Sequence, residues 1–463
     1  MTPPRIVVIG AGPAGVRAAQ ALVEAGVRPI VIDEGRRDGG QIYRRQPEGF
    51  TRTHAMLYGS EAAKAQALHN DFDALRAQID HRAETLAWNV TAGQLHTVHA
   101  PSGETATLDF DALIVCAGAT DRLMPVPGWH HAGCYSLGAA QIALKAQACA
   151  IGSRVVFMGS GPLLYLVAAQ YVKAGARVDA VLDTSPALPT FTALRGLLNR
   201  PRLVLRGLAL KASLRLGGVR LLNGISPLRI EGTAEGGVSG VVVRDARGAE
   251  RRLACDAVGL GWHLRAETQL ADLARCDFEF EPLSRQWLPR IDACGRSSMP
   301  GVYLAGDGAR ILGADGAEAA GRLAALAALD DLKHERGRTL FAAERSGLQR
   351  TLATMNGFRE GLAQAFPWPH AQAAALPNDA IVCRCEAVTA GELRRSVREL
   401  GSQELNRAKA FSRVGMGRCQ GRYCGHAAAE IVAAAASIPV EKIGRLRGQA
   451  PVKPLSMSAQ EHE

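Results

Sequence analysis

Four cysteines near the C-terminus lie in two close pairs, an arrangement that can hold a metal centre. Cys383 and Cys385 form the first pair, and Cys419 and Cys424 form the second. Structural zinc sites typically use cysteine pairs with two to four intervening residues, so a single intervening residue is unusually tight for zinc. A 2Fe–2S cluster also takes four cysteines, two on each iron. The sequence therefore predicts a 2Fe–2S cluster, with a zinc site or no metal as the alternatives.

The residues around these pairs are basic, which suits the net negative charge of an iron–thiolate cluster. The basic residues are Arg384, Arg407, Lys409, Arg413, Arg418 and Arg422. The other six cysteines are scattered, mostly in apolar segments, and we interpret them as small core residues rather than as a disulfide framework. They are Cys116, Cys134, Cys149, Cys255, Cys276 and Cys294.

A glycine-rich turn near the N-terminus has the residue types and spacing of a dinucleotide site. An apolar run ends at Ile9 and is followed by Gly10, Ala11, Gly12, Pro13, Ala14 and Gly15. The first glycine permits a tight turn, the second lets the backbone approach a pyrophosphate, and the third lets the next helix lie close to the sheet. An acid about 20 residues later can accept hydrogen bonds from a ribose. Asp33 has this position, and Glu34 is the alternative acid.

This chemistry requires a strand, a turn, a helix and a second strand, and the sequence contains that unit twice. In the second copy, Gly159 and Gly161 follow an apolar strand, and Asp183 stands where the ribose acid is expected. The third glycine is replaced by Leu164, which keeps the helix farther from the sheet. Binding of a nicotinamide nucleotide in this unit is therefore doubtful, and an adenine nucleotide is the further candidate for it.

Three more segments contain small residues at the ends of predicted strands or in polar loops. Gly40 and Gln41 lie in a loop just after the ribose acid, Gly118 follows a buried strand that begins at Asp111, and Gly306 and Asp307 follow a third strand. An Ala- and Leu-rich helix that includes Ala317 comes next, and its N-terminus can stabilise negative charge on a ligand. The run from Cys255 to Gly261 predicts another strand, which we expect to return to the first unit.

At this point the sequence resembles the flavoproteins with two dinucleotide-binding domains, the disulfide-reductase superfamily. The resemblance implies that Asp307 binds the ribityl chain of FAD and that the helix after it points at the isoalloxazine ring. It also implies that Gly10, Gly12, Pro13, Ala14, Gly15, Asp33, Glu34, Gly40, Gln41, Gly118, Gly306 and Ala317 surround the FAD. The dithiol of the reductases has no counterpart near Gly40 or in the second unit, so the chain is not a thioredoxin or glutathione reductase.

The pattern predicts an α/β fold with two Rossmann-like dinucleotide-binding domains and a small helical C-terminal 2Fe–2S domain. The expected divisions are 1–147 and 263–335 for the FAD-binding domain, 148–262 for the degenerate nucleotide-binding domain, 336–378 for a helical connector, 379–438 for the 2Fe–2S domain and 439–463 for a C-terminal arm.

Composition excludes several other classes of protein. The chain has 463 residues, a net charge of +10 and 47% hydrophobic residues, as expected for several α/β domains. No apolar run reaches the roughly 18 residues of a membrane span. No signal peptide precedes the first strand, and no nucleic-acid-binding motif is present. We therefore expect a cytoplasmic protein or one peripheral to the inner membrane. The acid-free run from Thr184 to Ile230 predicts either a basic amphipathic surface or an ordinary solvated helix face.

The cysteine segment resembles the bacterioferritin-associated-ferredoxin type of 2Fe–2S domain, with four residues instead of two between Cys419 and Cys424. This variant, the loop at Gly39–Arg44 and the altered second glycine motif are together similar to the larger FAD subunits of hydrogen cyanide synthase, opine oxidases and D-hydroxyproline dehydrogenase. More distant relatives occur in multimeric proline dehydrogenases and sarcosine oxidase. The resemblance covers essentially the entire chain.

The resemblance implies an electron-transferring subunit. A smaller FAD-containing subunit would oxidise the amine, and a quinone or another respiratory-chain acceptor would receive the electrons; a small ferredoxin-like subunit is a further candidate partner. The sequence nominates no catalytic residue, and we interpret His130, His131 and His263 as loop or core residues. The alternatives are a self-sufficient NAD(P)H-dependent reductase and a non-catalytic scaffold or iron-handling module.

Overall fold

The computed structural model describes residues 3–456 and 460–461, and its first element is a strand–helix–strand unit. Strand β1 (Ile6–Ile9) is fully buried because its four side chains are Ile and Val. Helix α1 (Pro13–Glu24) begins with a proline, which is tolerated there because the first turn of a helix needs no amide donor. Strand β2 (Ile30–Ile32) lies parallel to β1. The predicted dinucleotide-binding unit is therefore present.

Two helices separate β2 from β3, and an antiparallel insertion separates β3 from the following strand of the first sheet. The helices are α2 (His54–Tyr58) and α3 (Ala62–Leu75), and β3 (Asp80–Arg82) follows them and pairs with β2. The insertion contains β4 (Thr85–Thr91), β5 (Gln94–His99) and β6 (Glu104–Asp109). The buried strand β7 (Ala112–Val115) then pairs with β1 in parallel.

A second five-stranded sheet follows, and two short antiparallel strands connect it with the first. The connecting strands are β8 (Ala119–Asp121) and β17 (Leu264–Ala266). The second sheet has the order β12-β11-β10-β16-β9. Its strands are β9 (Cys134–Ser136), β10 (Val155–Ser160), β11 (Val178–Asp183), β12 (Arg220–Asn223) and β16 (Ala257–Trp262).

Four helices and a three-stranded sheet belong to this second unit. Helices α4 (Leu137–Ala146) and α5 (Pro162–Lys173) pack beside the second sheet. Helices α6 (Phe191–Leu197) and α7 (Pro201–Leu216) lie between β11 and β12 in the chain. The smaller sheet is antiparallel and contains β13 (Ser226–Thr233), β14 (Gly237–Arg244) and β15 (Glu250–Ala254).

Two expectations about the second unit need correction. Strand β9 pairs with β16, so the second sheet begins ahead of the division expected at residues 147 and 148. The strand expected to return to the first unit is β16, which lies inside the second sheet. Glycines explain this placement, because a Cβ atom on Gly159 of β10 would lie 1.7 Å from the carbonyl oxygen of Gly261. The two strands fit side by side because position 159 lacks a side chain, whereas the missing side chain of Gly261 leaves room for Leu137 of α4.

The chain returns to the first sheet after β17, the second of the two connecting strands. Helix α8 (Gln269–Leu273) and the hairpin of β18 (Phe278–Glu281) and β19 (Gln286–Pro289) lead to β20 (Val302–Leu304), which pairs with β7. The first sheet thus has the order β20-β7-β1-β2-β3, with all strands parallel. Helix α9 (Gly313–Asp331) crosses α1, and the long helix α10 (Glu335–Ala365) follows it.

The C-terminal part is mostly helical; its helices pack onto the second unit, whereas its last strand pairs with β6 of the antiparallel insertion. Its elements are α11 (His370–Ala374), β21 (Ile381–Cys383), β22 (Val388–Thr389), α12 (Ala390–Leu400), α13 (Leu405–Ser412), α14 (Gly425–Ala436), α15 (Val440–Ile443) and β23 (Gln460–Glu461). One hydrophobic core contains both Trp262 of β16 and Ile431 of α14. The cysteine-bearing domain is therefore fixed to the flavoprotein-like part rather than connected by a loose linker.

The helices in the described ranges do not include one that is long and apolar enough to cross a membrane.

Candidate functional site

Gly10 and Gly15 leave no space for side chains at the turn between β1 and α1. A Cβ atom on Gly15 would lie 1.7 Å from the carbonyl oxygen of Gly10. Gly10 has a φ of 99°, and a Cβ atom there would lie 2.4 Å from the carbonyl oxygen of Cys116. The N-terminus of α1 therefore lies directly against the ends of β1 and β7. This close approach places free helix amides where a pyrophosphate binds in dinucleotide sites.

A second loop lies against this turn and completes an open backbone cradle. The amide of Gly39 donates to the carbonyl oxygen of Ala11 over 2.8 Å. A Cβ atom on Gly40 would lie 2.9 Å from the Cα atom of Gly12 and would fill the space between the two loops. Gln41 follows with an exposed side chain that accepts a hydrogen bond from Arg44. The backbone around Gly12 and Gly40 thus fits phosphates that approach without side-chain obstruction.

Asp33 is held beside the same turn by backbone amides. Its carboxylate accepts hydrogen bonds from the amides of Ala11 and Gly35, both over 2.5 Å. Burial raises the pKa of this carboxyl group. Glu34 is more exposed, and its carboxylate pairs with Lys453 of the C-terminal arm. The assignment of the ribose to Asp33, with Glu34 as the alternative, stays a prediction.

Asp307 lies at the opposite side of this edge, between β20 and α9. Its carboxylate accepts hydrogen bonds from the amides of Leu312 at 2.9 Å and Gly313 at 3.1 Å. Burial raises the pKa of Asp307. The carboxylate therefore lies at the N-terminus of α9, as the resemblance implies for the residue that binds the ribityl chain.

Small residues bring α1, α9 and the loop after β7 together at this edge. A Cβ atom on Gly306 would lie 2.8 Å from the Cβ atom of Ala14 and 3.4 Å from that of Ala317. A Cβ atom on Gly308 would lie 3.1 Å from the amide nitrogen of Gly118. The predicted FAD residues of four separate segments thus share one edge of the first sheet.

In the second unit, the acid at the corresponding position already accepts hydrogen bonds from other residues of the protein. Asp183 is completely buried, and its carboxylate accepts a 2.6 Å hydrogen bond from the Tyr165 hydroxyl. Ser185 donates to the other carboxylate oxygen through both its amide and its hydroxyl. Leu164 is also completely buried, in the core between α5 and the sheet. Asp183, at the position expected for a ribose acid, is therefore a hydrogen-bonded core residue. The buried side chains of Asp183 and Leu164 give no support to the adenine nucleotide suggested for this unit.

The three histidines considered from the sequence lie outside the glycine-rich edge. His263 lies against Gly161, and its Nε2 is 2.9 Å from the carbonyl oxygen of Phe366. Burial lowers the pKa of His263 to about 4. His130 and His131 stack on each other in the loop before β9, with ring centroids 4.6 Å apart.

The four clustered cysteines line one cavity of about 380 Å³. Cys424 lies within hydrogen-bond distance of both Cys383 and Cys419, and these contacts lower the pKa of Cys383 to about 6 and that of Cys419 to about 5. Cys385 lies within hydrogen-bond distance of Cys419, and partial desolvation of its sulfur at the cavity, together with the neighbouring Cys419, raises its pKa. Two thiols are therefore already biased toward the thiolate form, in which cysteine binds metals.

The surroundings of the cysteines differ on the two sides of this cavity. Cys383 and Cys424 are buried, whereas Cys385 is exposed to solvent. Trp129, Tyr423, Arg384 and Arg418 complete the lining. Within the described part of the chain, no three donor side chains converge tightly enough to hold a single metal ion. Four thiols around one cavity nevertheless fit a two-iron cluster, in which each iron takes two thiolates.

A buried ion pair joins the loop that carries Cys419 and Cys424, called the cysteine loop below, to the residue that follows the connecting strand β17. The Arg422 guanidinium donates to the Glu267 carboxylate over 2.6 Å, and Arg265 pairs with the same carboxylate at 3.4 Å. The two neighbouring arginines lower the pKa of Glu267 despite its burial. The amide side chain of Gln269 also donates to the carbonyl oxygen of Gln420 over 2.8 Å. The cysteine loop is thus attached directly to the segment between the two dinucleotide-binding units.

Sequence reasoning missed several residues that support this loop. Leu446 of the C-terminal arm packs into a space left by Gly415, Gly421 and Gly425. Trp129 donates its indole hydrogen to the carbonyl oxygen of Ile381 over 2.7 Å. The three glycines were a signal that something approaches the loop closely, but the sequence offered no signal that selected Leu446 or Trp129.

Comparison with known proteins agrees with this geometry. The profile of the pyridine nucleotide-disulphide oxidoreductase family matches residues 4–327, and that of the BFD-like [2Fe-2S] binding domain matches residues 381–434. The chain belongs to the pyridine nucleotide-disulphide oxidoreductase family. This pyridine nucleotide-disulphide oxidoreductase is an FAD-dependent enzyme that also carries a 2Fe–2S cluster, as predicted.

Relatives within this oxidoreductase family extend over nearly the whole chain. An opine oxidase subunit of Agrobacterium tumefaciens (strain Ach5) is 36% identical, over 99% of this chain and 91% of its own length. The hydrogen cyanide synthase subunit HcnB of Pseudomonas protegens is 31% identical, over 98% of this chain and 96% of its own length. The resemblance to this group of larger subunits is therefore confirmed.

A solved structure confirms the fold of the oxidoreductase as a whole. The crystal structure of L-proline dehydrogenase from P. horikoshii superposes with a TM-score of 0.71, at 18% identity. The match covers 98% of this chain and 79% of that chain. The similarity in fold therefore extends over the C-terminal domain as well as the two dinucleotide-binding units.

Proposed function

We propose that the chain is the electron-transferring FAD/2Fe–2S subunit of a hetero-oligomeric amino-acid or opine dehydrogenase. One observation carries the proposal: the four thiols line a single cavity at the joint with the flavin-binding part, with Cys383 and Cys424 on the protein side and Cys385 exposed. A centre in this position can exchange electrons both with the protein interior and with a docked partner.

The two cofactors suit a relay, because a flavin exchanges electrons in pairs and a 2Fe–2S cluster exchanges them singly. The chain's own residues supply position and electrostatics. Asp307 and the N-terminus of α9 fix one end of the flavin site, and the Glu267–Arg422 pair holds the cysteine loop against β17. No side chain at the site has been assigned as a base for amine oxidation.

The substrate reaction is placed on a partner. In this proposal a smaller FAD-containing subunit oxidises D-hydroxyproline, an opine or a related amine, and a quinone or another respiratory acceptor finally receives the electrons. The names of the relatives support partner subunits, since each is a named subunit of an oxidase or a synthase. A small ferredoxin-like subunit is a further candidate partner, and no nucleic acid is involved.

The alternative of a self-sufficient NAD(P)H-dependent reductase is tested first. It requires a nicotinamide nucleotide in the second unit, where Asp183 is occupied by Tyr165 and Ser185. Anaerobic addition of NADH or NADPH to the purified protein should leave the flavin absorbance unchanged. Rapid bleaching would overturn the partner-fed proposal.

The partner is tested by co-expression with the product of a neighbouring reading frame that encodes a small flavin oxidase. The co-purified complex should reduce a quinone analogue with one of D-hydroxyproline, octopine, nopaline, proline or glycine. Cys385→Ser should abolish this reduction, whereas Cys149→Ser, an exposed cysteine away from the cavity, should not. Failure of every substrate to reduce the flavin of an intact complex would favour the scaffold or iron-handling alternative.

A further inference from the structure

Helices α6 and α7 form an exposed apolar surface that the electron-transfer proposal does not use. Seven of the fourteen large apolar side chains that are exposed in the described chain lie between residues 188 and 216. These are Leu188, Phe191, Leu194, Leu198, Leu205, Leu208 and Leu216. Leu188, Phe191 and Leu216 are 81%, 83% and 90% exposed, so they project beyond their neighbours instead of lining a groove.

The exposed apolar side chains are arranged by the helical repeat. On α6 and its C-cap, Phe191, Leu194 and Leu198 are three and four residues apart and share one face. On α7, Leu205, Leu208 and Leu216 follow the same repeat. The opposite side of this helix pair is held by the protein, because Ala193 and Leu197 are buried against α10 and a Cβ atom on Gly196 would lie 2.7 Å from Gly361. The exposed apolar side chains therefore lie on the outer face of helices that are packed firmly against the rest of the protein.

The same surface carries only positive charge. No Asp or Glu occurs from Thr184 to Ile230. Arg200 pairs with Asp315 over 2.6 Å, and Arg206 pairs with Glu61, so these two arginines anchor α7 to the first unit. Arg195, Arg202 and Arg215 are exposed and have no ion-pair partner in the described part of the chain. Free arginines thus lie between projecting leucines and a phenylalanine.

We propose that the outer face of α6 and α7 docks onto an anionic lipid surface. Leucine and phenylalanine side chains that project singly can enter the boundary of the acyl chains, and interspersed arginines can pair with lipid phosphates. A second copy of this chain suits the face poorly, because a two-fold symmetric contact would bring positive charges together without acids to neutralise them. The face contains none of the four clustered cysteines and none of the residues predicted to bind FAD, so docking can be tested separately from the electron-transfer proposal.

The experiment uses the purified full-length protein with its cofactors in a vesicle sedimentation assay. Vesicles of phosphatidylcholine alone are compared with vesicles in which one lipid in three is phosphatidylglycerol. We expect binding to the anionic vesicles, weak binding to the neutral ones and weaker anionic binding at high salt, because salt screens the arginines. No sedimentation with the anionic vesicles would overturn the proposal.

Two variants locate the contact. Phe191→Ser combined with Leu205→Ser and Leu208→Ser should lower the vesicle partition coefficient at least about tenfold. Each substitution removes an exposed apolar side chain from the contact with lipid. Leu400→Ser combined with Met299→Ser changes exposed apolar residues elsewhere and should leave binding unchanged. Equal binding of both variants would overturn the proposal.

A protein occupant is recognised by different measurements on the same samples. If the triple variant lost a co-purifying subunit or changed the mass of the particle in solution, while neither protein sedimented with anionic vesicles, another protein would cover this face. Flavin absorbance and NADH bleaching are recorded for each variant. They should stay the same as in the parent protein, so failure of lipid docking and failure of the electron-transfer proposal remain distinguishable.

Discussion

A Cβ atom on Gly421 would lie 2.6 Å from the Cδ1 atom of Leu446, so the leucine occupies the space that a side chain at position 421 would need. The same methyl group lies 2.6 Å from the Cβ position of Gly415 and 3.3 Å from that of Gly425. One side chain of the C-terminal arm therefore packs against three points of the loop that carries Cys419 and Cys424.

Truncation of this side chain should loosen the cluster and spare the flavin. Leu446→Ala leaves a cavity beside the three glycines, at a cost of roughly 2 kcal/mol for a partly buried leucine. We expect faster iron loss to a chelator at an unchanged ratio of flavin to protein. Leu400→Ala, an exposed leucine in the same domain, is the matched control. Equal rates of iron loss in the two variants would contradict the role of Leu446.

The turn between β1 and α1 should not tolerate even a methyl group. In Gly15→Ala, the added carbon would lie 1.7 Å from the carbonyl oxygen of Gly10, and α1 must move away from the sheet. Such overpacking costs about 3 kcal/mol or more, and the same loss in binding free energy would lower the FAD affinity by more than about a hundredfold. The measurement is the ratio of flavin to protein after purification, with iron content as the test of remaining fold. Gly207→Ala, on the open surface of α7, should retain its flavin.

The Glu267–Arg422 pair should stabilise the joint between the cysteine loop and the connecting strands. Glu267→Gln leaves the buried Arg422 without its carboxylate partner, and breaking a buried pair typically costs about 3–5 kcal/mol. We expect a lower unfolding temperature when the visible absorbance of the cluster is followed. Glu250→Gln breaks the exposed pair with Arg244 and should cost less than about 1 kcal/mol. A similar small effect of both variants would show that the joint does not depend on this pair.

His263 should make the protein sensitive to acid. Burial lowers the pKa of His263 to about 4 from 6.5. Between these values the unfolded chain binds more protons than the folded protein, so the free energy of unfolding falls as the pH is lowered from 6.5 to 4. The difference amounts to up to about 3 kcal/mol, because each pKa unit corresponds to about 1.4 kcal/mol.

The matched variant is His263→Asn. Asparagine cannot be protonated in this range and tolerates the positive φ of 62° at this position, although its shorter side chain no longer reaches the carbonyl oxygen of Phe366. Between pH 6.5 and pH 4, the unfolding temperature of the variant should depend less on pH than that of the parent protein. Above pH 7, the unfolding temperatures of the two proteins should show the same dependence on pH. Parallel pH profiles of parent and variant would rule out His263 as the source of acid sensitivity.

Much of the flavin site could be predicted because its signals are local. Gly10, Gly12 and Gly15 have roles fixed by the geometry of one turn, and the strand before it is an uninterrupted apolar run. The cysteine pairs also act at short range, since one or four intervening residues are enough to place two thiols near each other.

Other features depended on contacts between distant segments. The strand β16 has the same apolar character as a strand of either sheet, and its pairing with β10, where Gly159 lies against the backbone of Gly261, assigns it to the second. The acid Asp183 had the right spacing for a ribose, but its partner Tyr165 was recognisable only once α5 had packed onto the sheet. Spacing along the chain cannot show which polar groups a carboxylate will meet.

The sequence by itself therefore determined the dinucleotide turn, the four cysteines and the class of fold, because each of these depends on residue type and short spacing. Only the tertiary structure decided that Asp183 is enclosed, that Leu446 packs on the cysteine loop and that the leucines of α6 and α7 remain uncovered. These outcomes depend on which surfaces meet when separate elements pack, and many arrangements of the same local patterns would satisfy the sequence.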